Sequence, residues 1–580
     1  MQPGQQSMQQ TPTPTKLMGP GTQQPGINGF SQAQPTSQPP TAAQAHSRNS
    51  LSRSVQATPT NDEFPIPSPA QTKTGSMSLP GSAHVDGQSA VADGPLLHFS
   101  QPFSKDREIY EPCTRELTTH GSLVAGSMEK LGNDLDRFKP DVPWVEEMGL
   151  IDLHALTRSI QCGIHGEVRL ALDTLASISA LPLQPQWSHL EIELAKCDDL
   201  VECLVECAED QVEILAEHTV EVSDEILITT YEDVVRASRL EKMEIRQIPV
   251  FGTADYDLDR AVDRLICITT ILRNLSFPPF NHAILADEMV VKFLSVLIRY
   301  LGTRNMLLRT HINTLDLMKD VVILLSNVAG SVEIPGREQA LCLLQFLLAF
   351  APSPAPSLSS ENLFFSSYDA GLHPYLPPAV DALAKLLARD EPNRTHYKHL
   401  FAADASNSPP SELITRTFAL AISPAPDFTS DHRPASALVE VRKPFLMQGL
   451  LAADILASLA PGYESGVTKA WLECGSGFAQ HLFRLVRLLT QQFEGPPAPP
   501  RGQPRPQPRK DPELVYIVVL GVSMLRKLSE KARDPNTPGS LPPNPLPSAE
   551  SVLGALQMSS LEWTRGGYLQ QLVAYAALAR

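Results

Sequence analysis

The chain has 580 residues, of which 42% are hydrophobic and 6% are aromatic, and its formal net charge is -17. This length allows about two to four domains or one long array of repeats, and the apolar fraction is large enough to form a core. An acidic chain is a poor general binder of nucleic-acid phosphates and better suits basic protein partners, although many soluble proteins are also acidic. The eight cysteines are scattered, which argues against a disulfide framework and indicates a reducing compartment.

Residues 1–104 consist mainly of Gln, Pro, Ser, Thr and Gly. A segment of this composition cannot bury enough apolar surface to offset its chain entropy, so we predict a disordered Gln/Pro/Ser/Thr-rich arm. The arm begins without the apolar core of a signal peptide. The longest apolar run of the chain, residues 514–525, is too short to span a bilayer, so no membrane association is expected.

Residues 105–260 are predicted to form the N-terminal helical part of a solenoid, and they contain an acidic region at 191–225. In this region, apolar residues at helical spacing are interleaved with carboxylates. Two interpretations stay open: the carboxylates form a solvated helix face, or they form a docking surface for basic protein segments. Ser223, with Glu225 in the first turn, is predicted to cap the helix that follows.

The stretch at 265–302 has the pattern of two apolar helices around a turn. The sequence FPPF at 277–280 ends the first helix, because proline lacks the N–H group and disfavours helix before it. The second helix is predicted to stop at Gly302. Neither helix can bury its apolar face alone, so the unit needs a similar neighbour, as in an α-solenoid.

A short motif recurs at five places, with the sequences TLASIS at 174–179, ILRNLS at 271–276, LLSNVA at 324–329, ILASLA at 455–460 and MLRKLS at 524–529. One copy alone would be an ordinary buried helix, but five copies favour a repeat, although their intervals depart from a regular period of roughly 40–47 residues. The motif resembles the armadillo repeat, in which the corresponding helix lines an inner groove. That resemblance implies that Asn274 and Asn327 face a bound partner, and we predict both as partner-binding residues.

These patterns predict an all-α fold: an irregular armadillo-like α-solenoid preceded by the disordered arm. The best armadillo-like repeats are expected at 261–351. The remaining divisions are a Pro/Ser-rich loop at 352–378, further armadillo-like helices at 379–489, a disordered Pro-rich basic loop at 490–512 and a C-terminal helical unit at 513–580.

The chain carries no sequence motif of an enzyme. A phosphate-binding GxxxxGK[ST] loop, a GxGxxG turn after a strand, an HExxH zinc motif and a GxSxG nucleophile elbow are all absent. Cys203 and Cys207 lie four residues apart, but no histidine is close in sequence, so buried thiols are favoured over a zinc site. We therefore expect a non-enzyme with no cofactor, no catalytic residue and no metal ligand.

The order of features is similar to the C-terminal half of the ARID-containing large subunit of fungal SWI/SNF chromatin remodellers. The resemblance begins with Tyr110, Pro112, Arg115, Thr119 and Gly121 after a Gln-rich region, and it continues through the sequences DLHAL at 152–156 and LALDTL at 170–175 into the armadillo-like units. It implies a nuclear, non-catalytic scaffold subunit that assembles core subunits of the remodeller, including the ATPase, and supports transcription regulation.

One departure from that family limits what the resemblance implies. An ARID domain needs about 100 ordered residues, and no such domain is found in the chain, so direct DNA binding is not carried over. The alternative is an armadillo-type adaptor outside chromatin, in signalling or transport. An import adaptor of this type would carry tryptophans with an asparagine four residues later, and none of the four tryptophans has one: Trp144, Trp187, Trp471 and Trp563.

Overall fold

Helices make up nearly all the regular structure in the computed structural model, which describes residues 119–120, 123–137, 147, 151–180, 191–197, 199–359, 362–427, 435–492, 512–536 and 568–578. These residues lie in one of the two units into which the chain divides, Leu117–Arg580. The other unit, Met1–Glu116, lies outside the described residues, as do the predicted arm and most of the predicted loop at 490–512.

The helices of the described ranges are numbered in chain order. They are α1 (Ala125–Asp136), α2 (Leu153–Gln161), α3 (His165–Ala180), α4 (Leu200–Glu217), α5 (Tyr231–Glu241), α6 (Ala254–Leu275), α7 (His282–Leu285), α8 (Glu288–Thr303), α9 (His311–Val328), α10 (Arg337–Leu348), α11 (Leu376–Ala388), α12 (Asn393–Asp404), α13 (Glu412–Ile422), α14 (Ala435–Leu459), α15 (Val467–Leu472), α16 (Phe478–Gln492), α17 (Pro512–Ala532) and α18 (Tyr568–Ala577). Two short antiparallel strands, β1 (Thr119–His120) and β2 (Leu123–Val124), precede them.

Threonine side chains cap three of the helices in the middle of the chain. Thr230, Thr253 and Thr310 each accept a hydrogen bond from a backbone N–H in the first turn of α5, α6 and α9. The predicted cap at Ser223 is wrong: its hydroxyl accepts the N–H of Glu225 at 3.0 Å within a loop, and no helix starts there. A serine in a turn and a serine at a helix start make the same local hydrogen bond, which explains the error.

The five helices that carry the repeated motif, α3, α6, α9, α14 and α17, pack side by side with α11 and α18 in one layer, which we call the motif layer. In this layer α3 contacts α6, α6 contacts α9, α9 contacts α11, α11 contacts α14, and α14 contacts α17, which contacts α18. A second layer runs in the same order through α2, α4, α8, α10 and α12, and contacts between α4 and α6 join the two layers. The prediction of an all-α, solenoid-like fold is therefore confirmed.

Buried Leu, Ile, Val and Ala side chains form one cluster that extends from Ile160 to Tyr575. At two glycines the packing is too close for any side chain. A Cβ on Gly302 would lie 2.7 Å from Ile226 Cγ2, and a Cβ on Gly449 would lie 2.4 Å from the carbonyl oxygen of Ala421. Helix α8 ends at Thr303, one residue beyond the stop predicted at Gly302, and the glycine allows the close approach of the loop beside it.

In the described ranges, no helix combines the length and the apolar character that crossing a bilayer requires.

Candidate partner-binding surface

The structure places Asn274 between two helices of the motif layer. Its side chain is buried at 3% exposure and its Nδ2 donates to Ser179 Oγ of α3 at 3.1 Å. Its Oδ1 accepts from Arg273 Nη2 at 2.8 Å. The amide that was predicted to face a partner is therefore used to join α6 to α3, and partner contact at Asn274 stays a prediction.

Asn327 has the same relationship to its neighbour, one repeat further along. Its Nδ2 donates to Ser276 Oγ at 2.8 Å, at the C-terminal end of α6. The side chain is half-buried, so part of it faces solvent. Asn327 is thus the more accessible of the two nominated residues, and its contact with a partner also stays a prediction.

Helices α11 and α17 continue this series of polar contacts with lysine in place of asparagine. Lys385 Nζ of α11 donates to the carbonyl oxygen of Ser326 in α9 at 2.6 Å. Lys527 Nζ of α17 lies 2.7 Å from Asp454 Oδ2 of α14. We call these contacts, with those of Asn274 and Asn327, the polar ladder. In each of its steps, a polar side chain of one helix donates to the helix before it in the layer.

A buried ion pair reinforces the ladder between α6 and α9. Arg273 Nη1 lies 2.6 Å from Asp320 Oδ1, and Thr270 Oγ1 donates to Asp320 Oδ2 at 2.7 Å. Burial raises the pKa of the Asp320 carboxyl, and the hydrogen bond from Thr270 and the charge of Arg273 oppose that rise. The network fixes the relative position of two neighbouring repeats without any exposed charge on Asp320.

Sequence reasoning missed a second kind of internal contact, made by two fully buried asparagines. Asn281 Oδ1 accepts the N–H of Leu194 at 2.9 Å while its Nδ2 donates to the carbonyl oxygen of Ile192 at 2.9 Å. Asn393 makes the same pair of bonds to Ile334 and Val332, at 2.8 and 3.0 Å. These asparagine clamps repeat because residues 192–194 (IEL) and 332–334 (VEI) share one pattern, which is the signal that could have revealed them.

An acidic cavity of about 530 Å³ lies beside α4, between the α2–α3 turn and α6. Ile160, Val168 and Ile214 supply its apolar wall, and Arg264 reaches it from α6. Arg264 is held by His165 Nδ1 at 2.9 Å and by Gln211 Oε1 at 3.2 Å. The acidic side is formed by four carboxylates of α4: Glu206, Asp210, Glu213 and Glu217.

The α4 carboxylates lack positive partners within the described ranges. None of the four residues lining the cavity forms an ion pair there, and the same holds for Glu202 and Glu209 on α4. Partial burial raises the pKa of Glu209, and the negative charges of Glu206 and Asp210 raise it further. This repulsion is relieved if a positively charged group binds beside α4.

The thiols in the same cavity are not reactive nucleophiles. Burial raises the pKa of Cys203 to about 12, and burial also raises the pKa of Cys207, so both stay protonated at neutral pH. Within the part of the chain that the structure describes, no three His, Cys, Asp or Glu side chains are grouped so as to hold a metal ion.

The chain matches a curated fission-yeast protein, the SWI/SNF chromatin-remodeling complex subunit sol1 of Schizosaccharomyces pombe, with 26% identity over 445 residues. The chain resembles fungal SWI/SNF subunits. The chain also matches the SWI/SNF chromatin-remodeling complex subunit SWI1 of Saccharomyces cerevisiae, with 22% identity over 403 residues. The resemblance seen in the sequence is therefore confirmed, while no family model matches the chain.

The two matches cover the SWI/SNF subunits only in part. The first covers 73% of this chain and 48% of the sol1 subunit, and the second covers 50% of this chain and 30% of the SWI1 subunit. The chain thus spans about half the length or less of these relatives.

Proposed function

We propose that the chain is a non-catalytic scaffold subunit of a SWI/SNF-type ATP-dependent chromatin-remodelling complex. In this role it works in the nucleus, holds the core subunits, including the ATPase, in one assembly and supports transcription regulation. The observation that carries the proposal is the match to the sol1 subunit over 73% of the chain. The relatives are named as subunits of a complex, which favours a structural role over a catalytic one.

The polar ladder and the asparagine clamps support a scaffold role in physical terms. A stable protein interface needs roughly 800 Å² on each partner, so several partners require a large surface with fixed geometry. Solenoid repeats contact only their neighbours, and this makes them prone to local distortion. Buried polar contacts such as Asn274–Ser179 and Arg273–Asp320 oppose sliding of one helix past the next.

The acidic cavity beside α4 is proposed as a docking site for a basic protein segment. Its carboxylates have no positive partner in the described chain, and its apolar wall at Ile160 and Ile214 offers space for the stem of a Lys or Arg side chain. Oppositely charged surfaces increase the rate and specificity of association more than its affinity. Binding at this site should weaken as salt increases.

Purification of the tagged chain from nuclear extract, followed by mass spectrometry, tests complex membership. Recovery of a remodelling ATPase and its core subunits in near-equal amounts would support the scaffold role. Recovery of import carriers or adhesion proteins instead would favour the adaptor alternative. If no protein is recovered in stoichiometric amount, the scaffold proposal fails.

A matched pair of charge variants tests the acidic cavity. The triple variant Glu206→Gln, Asp210→Asn, Glu213→Gln removes three charges that line the cavity, and Glu202→Gln, Glu209→Gln, Glu225→Gln removes three that do not. We expect the first variant to bind the basic protein segment proposed as its partner roughly tenfold more weakly at physiological salt, with a shallower salt dependence. Equal behaviour of the two variants would contradict a docking site in the cavity.

A further inference from the structure

A second cavity, of about 480 Å³, lies at the C-terminal end of α4, between that helix, the start of α6 and the loop from α8 to α9. We call it the arginine cavity, because Arg246 and Arg309 line it together with His218. No Asp or Glu of the described residues lines it, although the whole chain carries a net charge of -17. Its charge is therefore opposite to that of the acidic cavity beside α4.

One carboxylate holds both arginines in place. Asp259 Oδ1 accepts a hydrogen bond from Arg309 Nε at 2.6 Å, and Asp259 Oδ2 accepts one from Arg246 Nη2 at 3.2 Å. The Asp259 side chain is only 12% exposed and does not line the cavity. Arg309 also pairs with Asp255, which is 72% exposed and lies outside the lining as well. The two guanidinium groups are thus fixed next to each other, which lowers the entropy cost of binding a ligand.

Each guanidinium keeps N–H groups that no acceptor uses within the described chain. Arg246 makes no hydrogen bond there through Nε or Nη1, and Arg309 makes none through Nη1. A guanidinium presents its donors in a planar fork that matches the two oxygens of a carboxylate. Both arginines can therefore still donate hydrogen bonds to an anion that enters the cavity.

The turn that carries Arg309 is held in an unfavourable backbone conformation. Met306 and Arg309 have φ angles of 51° and 64°, in the left-handed region that residues with a side chain rarely adopt. Such conformations cost stability and are concentrated at ligand-binding sites. A glycine at 309 would relieve the strain there but would remove the guanidinium from the cavity.

We propose that the arginine cavity binds a carboxylate side chain of an acidic protein segment. Arg246 and Arg309 donate hydrogen bonds to the carboxylate. Leu215, Leu258 and Leu307 supply an apolar wall that receives a neighbouring apolar side chain of the same segment. A few directed polar groups beside an apolar wall give the site its specificity for an acidic residue next to an apolar one.

Nucleic acid is another source of anions, and the surroundings of the cavity disfavour it. Binding of a phosphate backbone relies on several Lys or Arg contacts along the strand, and this cavity offers two arginines. The carboxylates of α4, between Glu202 and Glu217, would repel a long polyanion that passed the site. A short acidic segment of a protein, with its carboxylate inside the cavity, avoids most of that repulsion.

Two dye-labelled peptides with blocked termini test the proposal by fluorescence anisotropy on the isolated chain. Their sequences are Gly-Leu-Glu-Leu-Glu-Leu-Gly and Gly-Leu-Gln-Leu-Gln-Leu-Gly, so only the carboxylates distinguish them. We expect the Glu peptide to bind at least roughly tenfold more tightly at low salt, with a smaller difference as salt rises. Equal binding of the two peptides, or tighter binding of an oligothymidylate than of the Glu peptide, would overturn the proposal.

A matched pair of variants assigns this binding to the arginine cavity. Arg246→Gln removes one of its guanidinium groups, and Arg239→Gln removes an exposed arginine of α5 that does not line it. Arg246→Gln should lower binding of the Glu peptide to the level of the Gln peptide, and Arg239→Gln should leave it unchanged. Any other pattern would contradict the proposal. Because the isolated chain is measured, that failure would leave the proposed complex membership intact.

Discussion

Arg273 of α6 and Asp320 of α9 form an ion pair with 2.6 Å between Nη1 and Oδ1, and the carboxylate is almost fully buried. The pair joins the two repeats that the sequence marks most clearly, at 261–351. Its partners are all internal to the chain. Thr269 and Thr270 donate hydrogen bonds to the carboxylate, and Asn274 Oδ1 accepts a hydrogen bond from Arg273 Nη2. This part of the motif layer is therefore specialised for holding repeats together.

Removing the guanidinium of Arg273 should lower the free energy of unfolding more than neutralising the carboxylate of Asp320. Arg273→Leu leaves a buried carboxylate without its counter-charge, and we expect the free energy of unfolding to fall by about 3 kcal/mol. Asp320→Asn keeps an acceptor for Thr270 and should cost about 1–2 kcal/mol. Urea denaturation followed by circular dichroism measures both. The control is Arg169→Leu at an exposed pair with Asp173, expected to change stability by less than about 0.5 kcal/mol. Equal losses in all three variants would contradict the prediction.

The raised pKa of Asp320 predicts a pH dependence of stability. Because the folded-state pKa lies above the ordinary value of 3.8, the folded chain holds this proton more tightly than the unfolded chain. The contribution to stability is therefore present at low pH and is lost as pH rises through the raised pKa. Unfolding free energies of the natural chain minus those of Asp320→Asn, measured from about pH 3.5 to 6, should fall as pH rises. A difference that rises over this range would mean that Arg273 outweighs burial.

The asparagine clamp at Asn281 should be essential for the fold around it. Asn281→Ala leaves the N–H of Leu194 and the carbonyl oxygens of Ile192 and Leu275 without their buried partner. Each unsatisfied group costs about 1–3 kcal/mol, so we expect a loss of at least about 3 kcal/mol. Thermal unfolding measures this loss. Asn407→Ala, which removes one long contact to Asp404, is the control and should be nearly neutral.

Gly449 should not tolerate even a methyl group. Alanine is the better helix former by about 1 kcal/mol, so propensity alone predicts that Gly449→Ala stabilises α14. A Cβ only 2.4 Å from the carbonyl oxygen of Ala421 reverses that expectation, and we predict a loss of about 1–3 kcal/mol. Gly330→Ala, where nothing lies within 4 Å of the added Cβ, should change the unfolding midpoint little. A more stable Gly449→Ala variant would contradict this prediction, because it would mean that α13 and α14 can move apart to accommodate the methyl group without a loss of stability.

The helices were predictable because a period of 3.6 residues is a local signal, and the motif at 271–276 does lie on one helix of a stacked layer. The direction in which Asn274 points was not predictable. Sequence shows which residues share a helix face, but the neighbour that covers that face is decided by tertiary packing. Asn281 and its partners Ile192 and Leu194 were missed for the same reason, since 87 residues separate Asn281 from Leu194 and 89 residues separate it from Ile192.

Asn327 offers the sharpest test of the predicted partner contact, because the same helix supplies a matched control. Asn327→Ala removes one hydrogen bond, to Ser276, and Asn313→Ala removes one, to the carbonyl oxygen of Leu308. Both side chains are half-buried, so each variant should lose about 1 kcal/mol of stability. If Asn327 also binds a partner, Asn327→Ala alone should lower the recovery of core subunits in purification from nuclear extract. Equal recovery with both variants would confine Asn327 to the polar ladder, because a structural hydrogen bond alone would affect both variants alike.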